Sequence, residues 1–159
     1  MIIFLDTETT GLSAKNGDKI VEISIVDNIG NVLLDTLVNP LRPIPFGASN
    51  IHGITDSMVI DAPVFEDLLP KINQIVRGNH VVIYNSTYDT SFFPDQLSSS
   101  RKISCAMREF TQKIGRTRWV KLSEAADHVG HVWTGTAHRA LADTLATRSV
   151  WNWMHPNSN

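Results

Sequence analysis

The sequence predicts an α/β fold, one mixed five-stranded sheet flanked by helices, on three observations. Short apolar, β-rich runs recur at strand length, at 2–5, 19–27, 32–38, 80–84 and 102–104. Helix-period stripes appear from residue 64 onward, between and after the later runs. No linker or internal repeat divides the 159 residues, a length expected to form one domain, 1–159, that buries about two-thirds of its unfolded surface.

Each element has a local reason. Ile2-Ile3-Phe4-Leu5 reads as a buried strand that runs straight into Asp6-Thr7-Glu8-Thr9-Thr10-Gly11. Ile20, Val21, Ile23, Ile25 and Val26 supply the second strand, and Asn28-Ile29-Gly30-Asn31 is a hairpin turn into the third. Pro40, Pro43 and Pro45 make 39–47 an irregular, extended connection. Thr55 or Asp56 is placed to cap a short helix. Residues 64–76 form an amphipathic helix in which Pro70 predicts a kink or a late start. After the fourth strand a helix is expected over 86–97, disturbed by Pro94, with a surface turn at 98–100. The last strand leads into a helix to about 114, another at 122–129 ending at Gly130, and a final one from near His138 to Met154.

Composition narrows the classes. Apolar residues make up 42 % and charged residues 19 % of the chain, as in a globular protein, and no apolar run reaches the roughly 18 residues of a membrane span. The first strand begins at once, without the basic and apolar regions of a signal peptide. The single cysteine, Cys105, has no partner for an internal disulfide, so a reducing, cytoplasmic setting is expected. A net charge of −2 does not by itself announce a nucleic-acid binder. Its distribution is uneven, because 101–121 carries +6 and the remainder −8. That stretch reads either as a phosphate-facing rim or as the solvated face of a helix and its loop.

Three places carry chemistry. Side chains two apart on a strand share a face, so Asp6 and Glu8 project together, about 6.6 Å apart along the chain. Two acids there either face water or converge on a hard cation such as Mg²⁺. Asp89 enters a helix directly after a buried strand, in Tyr84-Asn85-Ser86-Thr87-Tyr88-Asp89. Asp143 borders the apolar stripe Leu141, Ala142, Leu145, Ala146, Val150 and Trp153 of the last helix. It reads as a metal-paired acid or as an N-terminal acid complementing the helix dipole. His138 lies about 140° around that helix from Asp143, so the two share no face if both are helical. A place in the preceding connection, loosened by Gly135, lets His138 swing over the site; a solvated loop histidine is the plainer alternative.

In order and spacing these segments resemble the DEDDh family of 3′→5′ exonucleases. That family includes the proofreading subunits of bacterial replicases, ribonuclease T, oligoribonuclease and exonuclease X-like enzymes. Its D-x-E-T-T-G-L motif is met by Asp6, Glu8, Thr9, Thr10, Gly11 and Leu12, and its I-H-G-I-T by Ile51 to Thr55. Its N-x-x-x-D is met by Asn85 and Asp89, and its H-x-x-x-x-D by His138 and Asp143. The sister subgroup has a tyrosine where Arg139 stands, so the histidine type fits. Tyr84 and Tyr88 depart from the usual histidine and phenylalanine, which touches substrate contacts more than catalysis.

The resemblance covers nearly the whole chain and implies a ribonuclease H-like fold. It also implies 3′→5′ hydrolysis of nucleic acid, DNA favoured over RNA, to nucleoside 5′-monophosphates. Two divalent cations, Mg²⁺ or Mn²⁺, would be held by Asp6, Glu8, Asp89 and Asp143, with His138 as general base. Thr9, Gly11, Leu12, His52 and Asn85 would meet or flank the terminal nucleotide, with the 3′ end single-stranded. Trp119, within the basic stretch, then stacks on the upstream strand or, as a lone tryptophan ordinarily does, packs in the core.

Two rivals remain. A haloacid-dehalogenase-like phosphatase also opens on a strand and D-x-D-x-T, but Glu8 breaks that pattern and no paired-Asp motif follows. A non-catalytic nucleic-acid-binding module would leave the retention of four acids and a histidine without a reason.

Overall fold

The computed structural model describes residues 1–93, 95 and 97–156. Five strands, β1 (Ile2–Thr9), β2 (Ile20–Asp27), β3 (Val32–Leu37), β4 (His80–Ile83) and β5 (Lys102–Cys105), form one sheet in the order β3-β2-β1-β4-β5. β1, β2 and β3 pair antiparallel, while β4 and β5 run parallel to β1, so the sheet is mixed as expected. Among the described residues seven helices join them: α1 (Phe46–His52), α2 (Asp56–Val59), α3 (Phe65–Val76), α4 (Ser86–Asp89), α5 (Ala106–Lys113), α6 (Leu122–His128) and α7 (Ala140–Met154).

The two faces of the sheet are set by the period of two along β1. Ile3 and Leu5 join Ile23, Ile25, Val81 and Ile83 in a core covered by Ile72 and Val76 of α3 and by Phe92 and Phe93. Phe4 joins Val26, Val82 and Tyr84 in the opposite core, under Phe110 of α5, Ala125 of α6 and Val150, Trp151 and Met154 of α7. Continuing the alternation, Asp6 and Glu8 project on the Phe4 face, the one α7 covers. A third cluster of Val21, Ile44, Ile54 and Val59 packs the proline-rich connection against the sheet.

The hairpin between β2 and β3 is closed by Asp27, whose Oδ1 accepts the Ile29 N–H (3.0 Å) and the Asn31 N–H (2.8 Å), with Gly30 in the left-handed region at φ 97°. Those bonds to the ionised form hold the Asp27 carboxyl below the usual range.

Several elements differ from expectation. β1 does not stop at Leu5 but runs on to Thr9, because Asp6, Thr7 and Glu8 pair with Ser24, Ile23 and Glu22 of β2. α3 starts at Phe65, not late, with Pro70 inside it on the exposed side. Thr55 precedes α2 without a side-chain capping bond, and Asp56 instead accepts the Ile44 N–H at 2.8 Å. The helix expected over 86–97 shrinks to α4 and a 3-10 turn at Thr90–Phe92; Ser, Thr and aromatic residues are poor helix interiors. The disturbance assigned to Pro94 lies outside the described residues. Trp119 is not core: it is 63 % exposed.

Candidate active site

β1 carries Asp6 and Glu8 to the face where α7 packs, and α7 turns Asp143 towards them. One carboxylate oxygen from each of the three lies within 4.8 Å of the others, a spacing that fits a shared divalent ion. Asp89, at the end of α4, is buried behind them, and its Oδ1 accepts the Thr7 hydroxyl at 2.7 Å. It therefore stands beside the three-acid group, fixed from the other face of β1.

The electrostatics report the crowding. Burial and then the neighbouring Asp89, Asp143 and Glu8 push the Asp6 carboxyl well above the ordinary range. Burial, followed by Asp143, Glu22 and Asp89, pushes Glu8 to about 8, with Arg139 opposing. Asp89 rises to about 7, chiefly through burial, against the Thr7 bond that favours its ionised form. Asp143 is raised by burial and eased back by the His138 N–H. Three carboxylates within 4.8 Å of one another, with Asp89 buried nearby, repel when ionised, and hard divalent ions relieve that repulsion, so the donor set fits such ions.

A stability prediction follows. Groups whose folded pKa lies above the unfolded value stabilise the fold below the unfolded pKa and lose that contribution as pH rises through the folded one. Thermal unfolding of the EDTA-treated protein should fall from about pH 4 to about pH 8, the window between ordinary carboxyls and the raised Glu8 and Asp89. Millimolar Mg²⁺ should cancel the fall; a flat profile without metal would contradict the crowding.

His138 lies outside α7, in the connection, as the angle argument required. It adopts the left-handed conformation at φ 63°, a region that costs a non-glycine residue about 1–2 kcal/mol. The strained residue is His138 itself and not Gly135, and its N–H donates to Asp143 Oδ1 at 3.1 Å. Its imidazole is left exposed beside the acids.

A cleft of about 400 Å³ opens next to Glu8, lined by Thr9, Thr10, Gly11, Leu12, His52 and Tyr88 with Gly47, Ala48 and Ile51 of α1. Thr9 Oγ1 donates to Gly11 O (2.7 Å) and meets the Tyr88 hydroxyl (2.5 Å), which also donates to Gly11 O (2.9 Å). Tyr88 thus braces the wall. A side chain on Gly11 would collide with the Asp18 carboxylate, which accepts the Ser13 N–H at 3.0 Å and the Thr10 hydroxyl at 3.2 Å. Leu12 stands at the rim, 86 % exposed.

His52 and Asn85 are differently placed from the other expected contacts. His52 is buried, its Nε2 donating to Thr9 O (3.1 Å) and its Nδ1 accepting the Ile54 N–H (3.0 Å). Both ring nitrogens are therefore engaged by the backbone, and burial holds the ring below its ordinary pKa. Asn85 begins α4, accepting the Tyr88 N–H at its carbonyl (2.9 Å), and is not among the described residues that line the cleft.

Sequence reasoning missed the pair that fixes α7. Glu22 pairs across β2 with Glu8, is buried, and accepts Arg139 Nε at 3.1 Å on both oxygens and Nη2 at 2.6 Å. Its Oε2 also accepts the Ala140 N–H (2.9 Å), supplying the cap that Arg139 does not provide at the start of α7. The signal was available: Glu22 is an acid in the interior of a mostly apolar strand, between Val21 and Ile23.

An exonuclease family model, RNase_T, matches residues 3–150. The chain belongs to this exonuclease family. It is 37 % identical over 166 aligned positions to the uncharacterized exonuclease CP81 of Escherichia phage 186, covering 93 % of this chain and 84 % of that protein. It is 32 % identical over 116 positions to the DNA polymerase III subunit epsilon of Rickettsia felis, covering 70 % of this chain and 51 % of that one. The chain thus spans about half the length of that polymerase subunit. Among solved structures, exonuclease X in complex with 5′ overhanging duplex DNA superposes with TM-score 0.78 at 29 % identity, covering 99 % of this chain and 93 % of that one. The nuclease domain of 3′hExo, a DEDDh family member bound to rAMP, shares the fold with TM-score 0.80 at 16 % identity, covering 99 % and 92 %. These solved structures share the mixed, ribonuclease H-like sheet described above.

Proposed function

We propose that this exonuclease removes nucleoside 5′-monophosphates from the 3′ end of DNA, within one domain spanning 1–159, using two divalent cations, Mg²⁺ or Mn²⁺. The observation that carries the reading is the convergence of Asp6, Glu8 and Asp143 within 4.8 Å, with Asp89 buried beside them. Asp6, Glu8 and Asp143 would hold one ion, and Asp6 and Asp89 the second. Ions bound there supply positive charge for the scissile phosphate and for the oxygens that attack and leave.

The chain's own residues do the rest. The exposed imidazole of His138, tethered through its N–H to Asp143, takes the proton from the attacking water. Thr9, Gly11 and Leu12 form the wall on which the terminal nucleotide rests, and Leu12 offers its side chain to the base. His52 acts on that wall as a positioning residue, bracing the Thr9 carbonyl. Asn85 sets the turn that aims Asp89.

DNA is favoured because relatives in the same family are named for DNA: exonuclease X with duplex DNA and a DNA polymerase III subunit. Trimming of 3′ ends in proofreading or repair, in a reducing cytoplasm where the Cys105 thiol stays free, is the setting that suits it. The test is a digestion panel of 5′-labelled single-stranded and duplex DNA and RNA, each with Mg²⁺, Mn²⁺ or EDTA. DNA should shorten stepwise from the 3′ end with either metal and stay intact in EDTA. Preferential shortening of RNA would move the substrate, and release of inorganic phosphate alone would overturn the reading.

A further inference from the structure

Seven basic residues lie between Arg101 and Lys121, but the fold divides them. Lys102 pairs with His80, which pairs with Ile2, so Arg101 and Lys102 sit at the end of the parallel strands away from the acids. Arg108 is exposed on α5, and Lys113 donates to Met154 O (3.1 Å) and lies over the Trp153 ring (5.7 Å). Arg116, Arg118 and Lys121 are instead on the connection from α5 to α6, exposed and without a hydrogen bond or ion pair of their side chains among the described residues.

The same connection carries Trp119. Trp151 is buried, and Trp133 and Trp153 have aromatic neighbours, whereas Trp119 is exposed with no ring contact among the described residues. An indole and three cations left bare together are unusual for a protein surface, where a tryptophan ordinarily covers its area.

This connection is also fixed in place. Val120 is buried, its carbonyl accepting the Tyr84 hydroxyl (2.7 Å) and its N–H donating to Thr111 Oγ1 (3.2 Å). Continuing the register of Phe4 with Val82 brings Tyr84 level with Asp6, one strand over. Tyr84 also shares the Phe4 face, so its hydroxyl ties the loop to the face and end of the sheet that hold the acids.

We propose that residues 116–121 seat the single-stranded nucleic acid upstream of the 3′-terminal nucleotide, Trp119 stacking on a base while Arg116, Arg118 and Lys121 neutralise phosphates. The inference rests on the exonuclease reading and deepens it. Aromatic stacking tolerates any base and phosphate contacts carry no sequence, so the seat is sequence-independent. It also separates two tasks: the acids, which repel a polyanion until neutralised, do the chemistry, and the loop supplies attraction at a distance from them.

The test measures binding of labelled oligothymidylates of 2 and 12 nucleotides by fluorescence anisotropy, in an Asp6→Asn background so that cleavage does not intervene. Trp119→Ala and the double substitution Arg116→Ala/Arg118→Ala should each weaken 12-mer binding about 10-fold or more, and Trp119→Phe should retain most of it. The double substitution should reduce the slope of log affinity against log salt by about 1.4, two phosphate contacts on a single strand. Affinity for the 2-mer should not change, and Lys71→Ala on α3 serves as the control on the opposite face. Unchanged 12-mer affinity in Trp119→Ala, or an equal loss for both lengths, would overturn the proposal. Failure of the wild-type protein to shorten DNA with Mg²⁺ would count against the catalytic reading alone, since the binding comparison does not depend on it.

Discussion

Asp6→Asn is expected to lower kcat by at least about 10³-fold, roughly 4 kcal/mol of barrier, while leaving the metal-free protein as stable as wild type or more so. Asp6 stands in the middle of the acid group, its carboxyl raised first by burial and then by Asp89, Asp143 and Glu8. An amide removes one charge from that repulsion and with it the ligand shared by both proposed ion positions. Loss of function with gain of stability is the signature of a site whose charges serve chemistry and not the fold. Steady-state kinetics on a 5′-labelled single strand, with thermal unfolding in EDTA, check both halves. A substituted protein that is inactive because it is unfolded would not support the argument.

Glu22→Gln is the second large effect, although Glu22 is not one of the proposed metal ligands. Its carboxylate accepts Arg139 and the Ala140 N–H, so it fixes the start of α7 and, through it, the strained His138 and Asp143. Partners that orient ligands and proton carriers typically account for about 10–100-fold in activity or metal affinity. We expect kcat to fall by that factor with KM changed far less, because the cleft is lined by β1, the turn after it, α1 and Tyr88 of α4, with no residue of α7. Arg139→Gln should be worse for the fold, leaving Glu22 buried and charged beside Glu8. A purely structural role would lower the unfolding temperature without separating kcat from KM.

Much of this was legible in the residues. The strands declared themselves through β-branched runs, and Asp6 with Glu8 through two acids where a buried strand should not carry them. The angle between His138 and Asp143 placed His138 outside the helix, where it lies. What could not be read depends on tertiary contacts. α1 has no capping side chain before it, a glycine inside it and exposed Phe46 and Ile51, so no apolar stripe announces it. The bond that holds the His52 ring could not be read because the carbonyl it meets, Thr9 O, is 43 residues away. Glu22 was read only as part of a strand because Arg139 lies 117 residues on. Trp119 was expected in the core on the habits of its residue type, which say nothing about where a loop is pinned.

The central claim is that the converging acids are a divalent metal site. Calorimetric titration of Mn²⁺ into the EDTA-stripped and dialysed protein tests it most directly, beside the same titration into Asp6→Asn. The wild-type protein should take up Mn²⁺ in proportion to the protein present, and Asp6→Asn should lose that uptake while remaining folded. Uptake unchanged by Asp6→Asn, or absent from the wild-type protein, would contradict the account.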